Sequence, residues 1–131
     1  MLAMPPAVSF WIALTATIGL IIASMVTGLR RRRRLHLWLG PLTIVMLVVT
    51  VVLTEQLASR YDFPADVKAV HLPCAKLGGL MALPVVLTGL WLWRSPRARR
   101  WHRLAVYAWL LAVLVAAATG IWMFAHGTLR A

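Results

Sequence analysis

Four histidines are the side chains of this sequence best suited to chemistry, and each falls at the end of an apolar run. They are His36 in "RRRRRLHLWLG", His71 in "KAVHLPCAKLGG", His102 in "RARRWHRLAVY" and His126 in "WMFAHGTL". Imidazole is the commonest metal ligand. Two axial imidazoles from different helices would hold a haem iron in a low-spin, electron-transfer state. The positions suggest two pairs, His36 with His102 at one membrane face and His71 with His126 at the other. Gly40 lies four residues after His36 and Gly78 seven after His71, so each shares its histidine's helix face, where a flat macrocycle would need relief. From His102 to His126 a helix rises about 36 Å, which would set two macrocycles toward opposite headgroup regions. The same residues need no ligand at all, because a bilayer tolerates polar groups most cheaply at helix ends. A cofactor-free reading therefore stands beside the haem b reading.

Two other clusters invite chemistry. His71 and Cys74 are three residues apart, and Met81, Met123 and His126 could approach from the same half of the chain. Soft sulfur with imidazole suits Cu(I), although Pro73 between the two ligands is expected to disturb the helix. Lys76 is a charge within an apolar run and calls for a partner, for which Glu55 is the obvious carboxylate. The simplest arrangement has Lys76 snorkelling outward to pair with Glu55. No nucleophile–base constellation, phosphate loop or soluble catalytic segment is legible, so independent enzyme activity is not expected.

The elements that must position these residues are membrane helices. The chain has 131 residues, 62% of them hydrophobic, and a formal charge of +11 from fourteen Lys plus Arg against three acids. Such basicity alone would suggest nucleic acid, but four apolar runs of about 20 residues each match the hydrocarbon thickness of a bilayer and exclude that class. Helices are predicted at about 7–29, 36–57, 68–93 and 102–125, forming one all-α transmembrane domain over 1–131. The N-terminal run lacks a basic leader and exceeds a signal-peptide core, so it reads as a helix that stays.

Sorting the basic residues orients the chain. Arg30 to Arg34 precede the second run, and Arg94, Arg97, Arg99, Arg100 and Arg103 lie between the third and fourth; Arg60, Lys68, Lys76 and Arg130 fall on the other side. Short loops rich in Lys and Arg stay in the cytoplasm, so both termini are expected outside, in the periplasm. The arginine runs are thus foremost a topology lock, with attraction for anionic headgroups in addition. Trp38, Trp91, Trp93 and Trp101 form the expected inner aromatic belt, and Trp11 and Trp122 the outer one.

Small residues recur every fourth position at Thr15, Gly19 and Ala23, at Cys74, Gly78 and Ala82, and at Ala112, Ala116 and Gly120. That spacing predicts close helix packing into a four-helix bundle. "VTGL" ends the first helix and "LTGL" lies in the third; each leads through arginines to "RLH" or "RWH", and Thr54 and Thr119 follow the two histidines at similar distances. The pattern reads as two helical hairpins in weak parallel repeat about an axis along the membrane normal.

Leu35-His36, His71 ahead of "LPVVLTG", His102-Arg103 and the late Thr119-Gly120 together resemble a small bacterial family of four-helix membrane proteins, long catalogued as uncharacterised, some members of which are tied to maturation of haem-copper terminal oxidases. The resemblance runs from His36 to Phe124. Members tend to end the second helix with a histidine where this chain has "LTEQLASRY", and His126 could supply that missing outer ligand. A looser similarity holds to di-haem cytochrome b-type bundles. The resemblance implies a haem-b-related membrane protein in electron transfer or oxidase maturation. The alternative is a cofactor-free accessory subunit of a larger respiratory or photosynthetic complex. Either way the expected partners are the bilayer and other membrane subunits, with no nucleic acid, in a bacterial inner membrane.

Overall fold

The computed structural model describes residues 6–130. Helix α1 (Pro6–Leu29) leads to α2 (Arg33–Ala58), a two-residue strand β1 (Tyr61–Asp62), α3 (Ala65–Leu80), α4 (Ala82–Arg94), a 3-10 turn at Pro96–Ala98, α5 (Arg99–Ala125) and β2 (Thr128–Leu129). The two strands pair in a two-stranded sheet. Among the described residues four stretches, Ala7–Leu29, Arg33–Ala58, Ala65–Arg94 and Pro96–Ala125, are long and apolar enough to cross a membrane. Helices α2, α3 and α5 each begin three residues earlier than their apolar runs, since the polar residues ahead of those runs, arginines in α2 and α5, are themselves able to be helical.

The third span is not one helix. It breaks at Met81, between α3 and α4, three residues ahead of Pro84. Pro84 has no N–H to offer the Leu80 carbonyl, and its ring crowds that oxygen, so the α-helical ladder stops there. Pro73, expected to disturb the helix beside His71, lies inside α3 without ending it, as Pro41 does inside α2.

The chain divides into two compact units, the first running to Tyr61 and taking in Arg130, the second covering Asp62–Leu129. In the first unit α1 packs along α2 through hydroxyls. Thr17 and Thr50 lie 2.7 Å apart and share the Met46 carbonyl, while Ser24 meets Thr43 at 2.9 Å. Both pairs are spaced seven residues apart on their helices, so they recur two turns on along one seam. Thr17, Thr27, Thr43 and Thr50 are all buried. The stripe expected at Thr15, Gly19 and Ala23 is not this seam, since a Cβ on Gly19 would meet nothing within 4 Å. Small size permits approach on any face, but in an apolar surrounding hydroxyls gain most by facing each other.

The Thr17–Thr50 contact is worth little by itself. Valine at either position leaves the other hydroxyl donating to Met46, so a double-mutant cycle should return a coupling of about 0.6 kcal/mol, typical of hydrogen bonds between membrane helices. Coupling within error of zero in a mixed-micelle unfolding titration would remove this pair from the seam.

In the second unit α3 and α4 pack on α5. Here the small-residue stripe does pack, since Gly78 lies where an added Cβ would be 3.5 Å from the Ala116 Cβ and 3.6 Å from the Ala112 carbonyl oxygen. Val67, Trp109 and Met123 are buried, and Phe63 meets Phe124 edge-on at 5.3 Å. Large side chains such as Leu111, Leu114 and Ile121 are instead turned outward, the arrangement a lipid solvent rewards.

Candidate functional site

Three of the four histidines are held in the same way, by a glycine on the helix they pack against. His36, near the start of α2, lies over Gly28 of α1, where an added Cβ would sit 3.2 Å from its Cε1. His102, near the start of α5, lies over Gly89 of α4 at 3.3 Å, and His71 of α3 lies over Gly120 of α5 at 3.2 Å. Each glycine directly follows a threonine: Thr27-Gly28, Thr88-Gly89 and Thr119-Gly120. An imidazole can lie flat on a helix only where no Cβ intervenes.

The hydrogen bonds fix the tautomers. His36 Nδ1 is 2.9 Å from the Ser24 carbonyl oxygen, which can only accept, so Nδ1 carries the proton. His102 Nδ1 is 3.1 Å from Thr88 Oγ1, and His71 Nδ1 is 3.0 Å from Thr119 Oγ1. The Thr88 hydroxyl donates to the Pro84 carbonyl at 2.6 Å, and that of Thr119 to the Val115 carbonyl at 2.9 Å. With its one proton committed, each hydroxyl accepts from the imidazole. In its neutral form each of the three rings therefore holds its hydrogen on Nδ1 and its lone pair on Nε2. A metal-ligating histidine takes the same tautomer, with its other nitrogen hydrogen-bonded to the protein.

His126 is different. It is exposed, its Nδ1 donates to the Trp122 carbonyl one turn back at 2.9 Å, and its ring packs edge-on against Trp122. Its contacts are those of a residue ending α5, where it is the C-cap.

The glycines expected to make room for a macrocycle do otherwise. Gly40 has nothing within 4 Å of an added Cβ, and Gly78 receives α5 rather than a histidine's surroundings. The glycines that matter lie across the hairpin. The Thr-Gly repeat was the available signal, and it marks each histidine's partner as well as the internal symmetry.

Cys74 and Met81 line an apolar groove of about 280 Å3 with Leu77, Ala108, Leu111, Ala112 and Val115. His71 seats further along α5, at Thr119 and Gly120. Among the described residues no three His, Cys, Asp or Glu side chains converge as a metal-binding group. Glu55 belongs to the first unit and Lys76 to the second, and each is exposed. Trp109, absent from the expected belts, is buried on α5 two turns beyond His102, and its indole N–H has no acceptor. A buried donor left so costs about 1–3 kcal/mol.

No family model, curated protein or solved structure matches this chain.

Proposed function

We propose that this chain is a multi-pass membrane protein of a bacterial inner membrane that binds haem b through histidine and serves electron transfer or maturation of a respiratory oxidase. The observation that carries the reading is the threefold imidazole seat. His36, His71 and His102 are each anchored through Nδ1–H, with the lone pair directed to Nε2, which is the form an axial ligand must take. Haem b, when bound, supplies one-electron chemistry at iron. The protein's own contribution is to hold each ring against rotation, through a glycine below it and an acceptor at Nδ1, and to keep the surroundings apolar. His126, with its exposed ring, is the fourth candidate ligand. Four spans of sufficient length, with arginine-rich first and third connections, support insertion with both termini in the periplasm.

The test is a dithionite-reduced minus oxidised spectrum of the detergent-purified protein with pyridine haemochrome quantification. A sharp reduced α-band with about one or two haems per chain is expected. Alanine at His36, His71, His102 and His126 in turn should remove or shift that band at the ligand positions only, and the pattern reports which imidazoles share an iron.

A second reading has its own support. The same imidazole seats fasten helix to helix without any iron, and most large apolar side chains are exposed, as in a subunit packed among others. A flat spectrum from folded protein that co-purifies with a larger respiratory or photosynthetic assembly would establish this cofactor-free accessory role and end the haem proposal. Copper at His71 and Cys74 is the outcome if metal analysis finds copper in place of iron.

A further inference from the structure

The arginine clusters do more than orient the chain. In the first unit Arg30, Arg31, Arg32, Arg33 and Arg34 are all exposed at the α1–α2 turn. In the second, Arg94, Arg97, Arg99, Arg100 and Arg103 are all exposed around the α4–α5 connection. The protein has three carboxylates to set against them, Glu55, Asp62 and Asp66, all near the α2–α3 connection. Glu55 lies about 30 Å along α2 from Arg34, and Asp66 lies further still from Arg94 along α3 and α4. Screening at physiological salt acts over about 8 Å, so these acids cannot compensate the arginines of their own unit.

The local backbone adds to the imbalance. Neither α2 nor α5 has an acid in its first turn or a side-chain cap, and both place arginines at an end where the helix dipole disfavours cations. Arg31 also holds a left-handed φ of 55°, which keeps the turn tight and its neighbours crowded. Exposed indoles flank each cluster, Trp38 in the first unit and Trp91, Trp93 and Trp101 in the second. Trp38 is 81% exposed. Indoles placed so favour headgroup depth, where a phosphate is held beside an apolar surface.

We propose that each cluster is a binding surface for anionic phospholipid headgroups, with guanidinium groups gripping phosphate and tryptophan rings lying along the acyl–headgroup boundary. The inference rests on the reading that the helices span a membrane, but it is independent of haem. Arginine is suited to the task because its planar fork donates two parallel hydrogen bonds to one phosphate.

The test compares the full-length protein in phosphatidylcholine nanodiscs with the same discs containing phosphatidylglycerol, reading lipid retention by native mass spectrometry and stability by thermal unfolding. The wild type should retain phosphatidylglycerol preferentially and melt higher in its presence. Replacing Arg99, Arg100 and Arg103 by glutamine, or Arg33 and Arg34 by glutamine, should reduce that preference by up to about fivefold per arginine. Lysine at the same positions should keep part of it, and glutamine at Arg60 or Lys76 should leave it unchanged. Equal retention of both lipids by the wild type would overturn the proposal, as would glutamine variants with undiminished preference. Protection by inorganic phosphate equal to that by phosphatidylglycerol would also overturn it, by showing a soluble anion at the site. Recovery of the chain from membranes without detergent would overturn both this proposal and the spanning reading beneath it.

Discussion

Valine at Gly120 is expected to dislodge the His71 imidazole and destabilise the second unit. A Cβ added there would stand 3.2 Å from His71 Cε1 and 3.7 Å from Nδ1, so alanine requires the ring to give by a few tenths of an ångström. Valine adds two methyl groups that the ring can avoid only by leaving, and the bond from His71 Nδ1 to Thr119 Oγ1 is then lost. Overpacking of this kind costs about 1–3 kcal/mol. The same substitution at Gly28 and Gly89 should displace His36 and His102. Gly19, Gly40 and Gly79 are the controls, since an added Cβ there meets nothing within 4 Å. Imidazole nitrogen NMR and unfolding in mixed micelles would be recorded for all six. A Gly120 variant as stable as the parent, with the His71 Nδ1–H signal unmoved, would show that glycine is not what seats the ring. This experiment needs no cofactor, so it tests the seat independently of what the seat holds.

How much of this was legible in the sequence depends on the distance over which each residue acts. The four spans followed from run length alone, because crossing about 30 Å of hydrocarbon requires an uninterrupted apolar stretch whatever its neighbours do. The Gly78 contact with α5 was legible from the recurrence of small residues, whereas the same recurrence at Thr15, Gly19 and Ala23 misled. Between α1 and α2 the choice of face was made by Thr17, Ser24, Thr43 and Thr50, and no single helix shows which of its hydroxyls has a counterpart opposite. The histidines were legible as residues and illegible as sites. Gly28 is only eight positions from His36, but Gly120 lies 49 positions beyond His71 and Thr119 lies 48 beyond it, so both meet the imidazole only through the register of the hairpin. Proline effects were likewise misjudged, since Pro73 was accommodated within α3 while Pro84 set the break at Met81.

The internal repeat also explains an asymmetry. Carried back by the offset that relates Gly89 to Gly28, the position of His71 falls on Phe10, which packs edge-on with Trp11 instead of seating on a glycine. By the offset that relates His102 to His36, Thr119 and Gly120 fall on Leu53 and Thr54 near the end of α2, where the Thr54 hydroxyl donates to the Thr50 carbonyl. The second unit thus carries two imidazole seats and the first unit one, together with the hydroxyl seam. Two hairpins of similar plan differ in their means of adhesion, hydroxyl contacts with one glycine–imidazole contact in the first, and two glycine–imidazole contacts with a glycine–alanine contact in the second.

Neutralising both arginine clusters should invert the protein in the membrane, whereas neutralising either one should not. The proposed orientation keeps ten arginines inside and leaves Arg60, Lys68, Lys76 and Arg130 outside. Moving one charge outward against a potential of 100 mV costs about 2.3 kcal/mol, so five arginines together exceed a domain's usual stability of about 5–15 kcal/mol at its lower end. One intact cluster therefore suffices to hold its hairpin, and the other is carried with it. With both replaced by glutamine, the remaining cations lie on the opposite side and favour the reverse orientation. A carboxy-terminal alkaline phosphatase fusion, active only outside, and a fluorescent-protein fusion, bright only inside, read the two states. The parent and each single-cluster variant should show active phosphatase and a dark fluorophore, and the double variant the reverse. A bright fluorophore on the parent chain would refute the orientation outright. A double variant that still exports its carboxy terminus would shift the lock from the arginines to the helices themselves, with the order of insertion of α1 and α2 as the remaining determinant.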